Sequence, residues 1–308
     1  MKAKLFVAAL ATLAFASCSE TETVEMPSSA AIKFDNAFVG NSVRAVVDNG
    51  NFTKFNVFGG FDGNLTNVFN NVVVNKGDGT WTAEQIQYWQ AGKTYTFQAY
   101  ASETEGTPTE NGVEFASYTV DPTTQEDLLA SNVEKKENVV VESVGTVDFT
   151  FSHLLSMVKF TFSSTLADNV TINISELKIE ALPNVGSYAV ASGWTATTGT
   201  ADYTFANVNG IKQSAAQASE AKIVMPQNVN GVNVSFTVTT EGALTISNTL
   251  NVTLPNVQLE KGKRYNFTAE LTPENIDPSG ELKPITFTAN VTDWEDNTPG
   301  GNDGGVTF

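Results

Sequence analysis

The sequence predicts an all-β protein built as two packed β-sandwiches in series. Three observations carry this. Apolar residues alternate with Thr, Asn and Ser at a period of two along most of the chain, the pattern of half-buried strands. Turn signals rich in Gly, Asn and Asp separate these runs. Helical periodicity is thin. The chain has 308 residues, 41% hydrophobic and 17% charged, which is enough apolar material for two cores at about 150 residues per domain.

The first element is a targeting segment. Lys2 and Lys4 precede a twelve-residue apolar run, Leu5 to Ala16, the length of a secretory h-region and too short to span a bilayer. It ends in Phe15-Ala16-Ser17-Cys18, small residues directly before the only cysteine. This resembles a bacterial lipobox, with Cys18 as the lipidated residue; Phe15 departs from the usual aliphatic residue there. The polar and acidic Ser19-Glu20-Thr21-Glu22 reads as a tether and is similar to surface-export signals of Bacteroides-type lipoproteins.

Strands are expected in the first half at Ala31–Phe38, Phe52–Phe58, Val68–Val74, Thr94–Tyr100 and Glu114–Val120. In the second half they are expected at Met157–Ser163, Val170–Ile179, Lys222–Met225, Val232–Thr239, Leu244–Leu254, Arg264–Leu271 and Pro284–Val291. Asp121, as an N-cap before Pro122, predicts one short helix over Gln125–Ala130. The polar run Glu134-Lys135-Lys136-Glu137-Asn138 puts the boundary between the halves near residue 150. A turn containing Gly-Lys followed by aromatics two apart occurs in both halves, at Ala91–Phe97 and Glu260–Phe267, a pattern that a common hairpin solution also explains.

Composition excludes several function classes. Seventeen basic against 34 acidic residues give a net charge of −17, the wrong sign for a nucleic-acid partner, which needs clustered Lys and Arg. One cysteine and one histidine cannot form an internal disulfide or an ordinary zinc site, so no metal is expected. A catalytic triad would have to use His153, whose neighbours Phe151, Leu154 and Leu155 are those of a structural histidine with both ring nitrogens hydrogen-bonded. Asp62-Gly63-Asn64 and Asp78-Gly79 lack the acidic density of calcium loops and read as hairpin turns. The phosphate-loop, dinucleotide and hydrolase motifs are missing, so neither an enzyme nor a cofactor is expected. Trp81, Trp89, Trp194 and Trp294 read as core or sheet-edge packing rather than sugar platforms.

One short stretch suits proteolysis. Gly40 to Gly50 is polar and contains Arg44, the only arginine before position 264. A solvated loop arginine is the plainer alternative.

Taken in order, Cys18, Ile32-Lys33-Phe34, Val43-Arg44-Ala45, Ala91-Gly92-Lys93-Thr94-Tyr95, His153 to Phe160 and Val291-Thr292-Asp293-Trp294 resemble the fimbrillin family, the type V pilus subunits of Bacteroides-like bacteria. The resemblance covers nearly the whole chain. It implies two transthyretin-like β-sandwich domains, export to the outer membrane as a lipid-anchored precursor, and removal of the N-terminal segment by an Arg-specific surface protease. The matching bond is Arg44–Ala45. The implied organisation is a lipoprotein signal peptide at 1–18, a tether and propeptide strand at 19–44, an N-terminal sandwich at 45–150 and a C-terminal sandwich at 151–308. The implied partners are other fimbrial subunits, of the same or a related kind, with a host or bacterial surface receptor as a further candidate.

In that arrangement Ile32, Phe34 and Phe38 have the parity to face the core of the first sandwich. Release of their strand would leave an apolar groove and unpaired backbone groups, a template for another strand. Donor candidates are Ile285, Phe287 and Val291, which read equally as the last internal strand, and Val306 and Phe308 at the end of a Gly-rich tail. The competing reading is a monomeric surface lipoprotein that binds glycans, which exposed aromatics in a groove would favour.

Overall fold

The computed structural model describes residues 30–39, 52–197 and 199–294. The first half contributes β1 (Phe34–Val39), β2 (Lys54–Phe61), β3 (Phe69–Gly77), β4 (Thr80–Ala83), β5 (Tyr95–Ala101), β6 (Thr107–Thr109), β7 (Gly112–Thr119), β8 (Leu129–Ser131), β9 (Glu134–Lys136) and β10 (Val147–His153). The second contributes β11 (Ser156–Ser164), β12 (Val170–Pro183), β13 (Val185–Ala189), β14 (Gly193–Ala196), β15 (Thr200–Thr204), β16 (Val208–Ile211), β17 (Gln217–Ala218) and β18 (Lys222–Val224). It ends with β19 (Asn233–Gly242), β20 (Ser247–Thr253), β21 (Lys263–Leu271), a single turn of helix α1 (Pro273–Ile276) and β22 (Thr288–Asp293). The architecture is therefore nearly all β, in several sheets.

The first sheet runs β2-β3-β4-β1-β10-β8-β5-β9, and β5 also pairs with β2. The extra pairing closes the strands from β2 to β5 into a ring. Its interior is aromatic: Phe34, Phe52, Phe55, Phe69, Phe97, Phe149 and Phe151 are buried together with Trp81, Trp89 and Tyr95. Such rings each bury a large area and meet mostly edge-on or tilted, the preferred aromatic arrangements. In β2 and β3 the alternation does the work: Phe55, Val57, Phe69, Val72 and Val74 turn inward while Lys54 and Asn70 stay out.

The second half stacks two sheets, β17-β11-β21-β22 and β15-β12-β19-β20, with β18 on β11 and β16 on β12. The parallel pair β11–β21 keeps register over eight residues, from Met157↔Arg264 to Ser164↔Leu271. Phe160, Phe162, Ile172, Ile174, Val234 and Phe236 fill the space between the sheets.

A fourth sheet, β14-β13-β7-β6, joins the halves. Thr119 of β7 pairs with Val185 of β13, Tyr118 with Gly186 and Phe115 with Tyr188. Backbone hydrogen bonds thus tie residues far apart in the chain. Phe58, Tyr100, Val113, Phe115 and Tyr118, all from the first half, pack into the same cluster as the second-half core. Residue 150, the expected boundary, falls inside β10, which stays in the first sheet through His153.

The expected helix over Gln125–Ala130 does not form. The Asp121 carboxylate does accept the Thr123 and Thr124 amides, at 2.7 and 3.1 Å, which holds it below the usual carboxylate range. Propagation then fails at Gln125, whose φ of 54° is left-handed. Its side-chain amide is taken by the second half instead, bonding the Ile223 N–H at 2.5 Å and the Ile223 carbonyl at 3.3 Å. Leu129–Ser131 becomes β8, paired with β10. A tertiary contact has overridden a local cap. The one α-helix among the described residues, α1, has Pro273 at its start, and the Asn275 side chain accepts the Thr272 N–H at 2.8 Å.

Phe55 lies at the centre of the ring, fully buried, with Phe34, Phe52, Phe149, Phe151 and Trp81 around it. Phe55→Ala is expected to cost about 3–5 kcal/mol in urea unfolding. A cost under about 1 kcal/mol would mean that the ring has no tight core.

Candidate functional site

The element with the clearest functional geometry is β1. It lies parallel to β10, with Phe34↔Val147, Asp35↔Asp148, Phe38↔Thr150 and Val39↔Phe151 in register. On its other side it meets β4 antiparallel, through Phe34↔Trp81 alone. The residues ahead of it are also held. The Ile32 N–H donates to the Gln87 carbonyl at 2.7 Å, and the Trp89 N–H donates to the Ala30 carbonyl at 2.8 Å. The Val147 N–H donates to the Lys33 carbonyl at 2.9 Å. Residues 30–39 therefore form a short plug between two walls, β4 and β10.

Side chains fix the plug. Ile32, Phe34 and Ala37 are buried and Lys33 is exposed, so the strand has one apolar face. The Phe34 ring sits among Phe69 at 5.5 Å, Phe55 at 6.0 Å and Phe149 at 6.0 Å, stacked on the last. Burying Ile32 and Phe34 contributes about 1.5–3 kcal/mol each. The Phe38 backbone pairs within β1; its side chain is outside the described residues. Without this strand the ring would open between β4 and β10 and leave two rows of unpaired backbone groups over an aromatic floor.

The candidate donor residues divide into two groups. Ile285 and Phe287 are buried, and the Phe287 ring lies 5.2 Å from Phe160 and 6.1 Å from Phe162. They fill the core of their own chain. Val291 is 49% exposed on β22, opposite Tyr265 of β21. Cys18, Arg44, Ala45, Val306 and Phe308 lie outside the described residues.

His153 ends β10 and is fully buried. Its Nδ1 lies 2.7 Å from Asp127 Oδ2, and both side chains are closed to solvent. Its ring stacks on Trp294 with centroids 4.3 Å apart and planes 6° apart. Nε2 has no hydrogen-bond partner among the described residues, so only one ring nitrogen is bonded. Trp294, the residue after β22, is tied further: its N–H donates to the Gly262 carbonyl at 2.9 Å, and Arg264 Nη2 donates to its carbonyl at 3.4 Å. The sequence holds no hint that Asp127 would reach His153, because the pair forms only when β8 is laid beside β10.

Trp81, Trp89 and Trp294 are buried, and Trp194 is half-buried with its Nε1 donating to the Leu154 carbonyl at 2.6 Å. Tyr88 is the one large aromatic side chain exposed among the described residues. Asp78-Gly79 is the two-residue turn between β3 and β4, with both residues at positive φ as such a turn requires. Asp62 forms an ion pair with Lys93 at 2.5 Å.

A ringed β-sheet plugged by its own first strand and joined to a two-sheet second half defines a class of multi-sheet β subunit. A sequence model of the fimbrillin-like family matches residues 43–294. The chain belongs to that family, whose members are fimbrial and cell-adhesion subunits. Among solved structures, it is similar to a fimbrial protein from Bacteroides vulgatus (16% identity, 86% of this chain and 99% of that chain covered, TM-score 0.60). It is also similar to a protein ascribed to cell adhesion from Bacteroides uniformis (20% identity, 86% and 98% covered, TM-score 0.52). A third, likewise ascribed to cell adhesion, is from Bacteroides ovatus (18% identity, 87% and 98% covered, TM-score 0.51). At these identities the likeness concerns the fold. No curated protein matches the sequence.

The contacts of Phe34 and Lys33 give a direct contrast. Phe34→Ala is expected to lower the stability of the uncut chain by about 3–5 kcal/mol, and Lys33→Ala to change it by less than about 0.5 kcal/mol. Equal effects in chemical denaturation would show that β1 is not seated by its apolar face.

Proposed function

We propose that this chain is a structural and adhesive subunit of a cell-surface fimbrium. It is exported as a lipoprotein through Cys18, activated by cleavage after Arg44, and assembled by β-strand exchange. The observation that carries the reading is the seating of β1 between β4 and β10 by Phe34, with Arg44 five residues beyond the end of that strand. Residues 40–53 are the covalent link between β1 and β2. A cut at Arg44 therefore leaves β1 held by noncovalent contacts alone. Family membership supports assembly with other fimbrial subunits, and the family match begins at residue 43, beside the proposed bond.

The remaining parts follow. Before cleavage the lipid on Cys18 anchors the precursor in the outer membrane, and an Arg-specific surface protease is the activating partner. After cleavage the donor is the C-terminal tail of another subunit, since Ile285 and Phe287 already serve their own core. The role we read is structural rather than enzymatic, supported by the burial of the His153 and Asp127 side chains, both closed to solvent. A host or bacterial receptor belongs on the outer surface of the assembled subunit.

Two variants test the reading. Arg44→Ala, a change within the polar sequence run Gly40 to Gly50, is expected to cost less than about 0.5 kcal/mol and so to fold normally, yet stay uncut by a trypsin-like protease and form no filaments in electron microscopy. Normal filaments from uncut Arg44→Ala protein would refute strand exchange. Cys18→Ala should lose incorporation of labelled fatty acid. Labelling as strong as the parent's would refute the lipid anchor.

A further inference from the structure

We infer that the free edge of β20 is a self-pairing surface, where two copies of the chain join strand to strand, antiparallel, about a two-fold axis at Leu250. The surface belongs to the second half and does not depend on the release of β1.

Three observations point to it. The first is that β20 is a bare edge. It closes the sheet order β15-β12-β19-β20 and pairs with β19 alone. That pairing keeps register over the whole strand, from Asn233↔Thr253 to Thr239↔Ser247, with no bulge to twist the edge away. The strand reads Ser-Asn-Thr-Leu-Asn-Val-Thr, with no proline and no charge. Natural sheets guard such edges with prolines, bulges, charges or brevity. Other edges of this molecule are guarded in those ways. β6 contains Pro108, β9 is charged throughout and β14 has four residues. β15 slips register on β12 and carries Asp202, paired with Lys178, and β22 ends in Asp293, paired with Lys263.

The second is the direction of the backbone groups. The Thr240 N–H donates to the Ile246 carbonyl at 3.0 Å, and the Leu254 N–H donates to the Val232 carbonyl at 2.8 Å. These bonds set the phase of the ladder. Asn248, Leu250 and Val252 direct their backbone groups to β19, and Ser247, Thr249, Asn251 and Thr253 turn theirs outward. In an antiparallel pair of copies centred on Leu250, position 247 meets position 253 of the second copy, and 249 meets 251. Every outward N–H then finds a carbonyl. Leu250, half-buried against the core of the second half, meets its own counterpart as a non-hydrogen-bonded pair with Cα atoms about 4.5 Å apart.

The third is charge, and it names the occupant. A chain of net charge −17 repels its own copies. A two-fold contact sets a surface against itself, so an acidic patch on the axis would meet an acidic patch. From Gly242 to Leu259 the sequence carries no charged residue, so this edge can face a second copy with no like charges across the strand pair. One strand pair of this length is smaller than a standard interface and is weak. Along two of the proposed filaments many such pairs act together, and the contact joins them side by side while the slot in the first half stays free.

The test uses the uncut full chain carrying Cys18→Ala, in which β1 fills the slot and strand exchange supplies no dimer. Leu250→Cys then introduces the only thiol, so any disulfide links two chains. Mild oxidation is expected to give a covalent dimer. Thr249→Cys in its place is expected to react about tenfold more slowly, because like positions off the axis lie too far apart for a disulfide. Adding Asn251→Asp to Leu250→Cys is expected to slow dimer formation by a few-fold through like-charge repulsion, and adding Thr249→Lys as well to restore it, since position 249 faces position 251 of the second copy. Equal rates for Leu250→Cys and Thr249→Cys, or no covalent dimer from folded Leu250→Cys protein, would overturn the inference. If Leu250→Cys does not fold, sedimentation equilibrium of the Cys18→Ala chain decides. A monomer–dimer equilibrium weakened by Asn251→Asp is expected, and a chain that stays monomeric to millimolar concentration, or a dimer that Asn251→Asp leaves unchanged, would overturn it. Cross-links on cells that form only to a different protein would give the edge to another partner and overturn it too.

Discussion

The parallel pairing of β1 with β10, sealed by Phe34, is the interaction on which the first half of the structure depends. Phe34 completes the aromatic cage of Phe55, Phe69 and Phe149, while the strand's backbone closes the ring between β4 and β10. The two contributions are of different kinds. The apolar burial holds the plug in place, and the backbone pairing hides an edge that would otherwise recruit another strand. The hold on β4 is a single register pair, against four on β10. The plug is therefore seated firmly by its side chains and lightly on one flank.

The two halves are not independent beads. The ladder between β7 and β13 and the bonds of Gln125 to Ile223 cross the junction. The buried His153–Asp127 pair, stacked on Trp294, adds a third tie that joins the end of β10 to the end of β22. In the proposed strand exchange such ties matter mechanically, because tension between the slot and the tail would pass through this junction. His153 and Trp294 stand on that path.

Much of the fold was legible in the sequence, and the reasons are local. Phe55-Asn56-Val57 and Ile172-Asn173-Ile174 alternate so cleanly that side-chain parity alone separates core from surface. Ile32-Lys33-Phe34 declares two inward side chains in the same way. The less legible parts lack that pattern or depend on distant partners. Val147–His153 alternates as Val-Asp-Phe-Thr-Phe-Ser-His, yet it falls at the expected boundary, shortly after a polar run that has the composition of a linker. Short strands such as β14 and β16 are too brief for a period to show. The helix expected at Gln125 fails because Ile223 captures its side chain, a contact between residues 98 positions apart in the chain. At the candidate site, the inward face of β1 could be read from its residues. Its wall strands, the cage around Phe34 and the place of Trp294 beside β10 are products of the fold.

The central claim is that β1 is a removable plug, and amide hydrogen exchange at its wall tests it most directly. The Val147 N–H donates to Lys33 of the plug, so its protection depends on β1 being present. In a chain lacking residues 295–308, exchange across Val147–Phe151 should be slow before cleavage at Arg44 and markedly faster after it, while β12 and β19 in the second half stay protected. Unchanged protection across Val147–Phe151 after cleavage, with residues 1–44 shown to have left, would contradict the account.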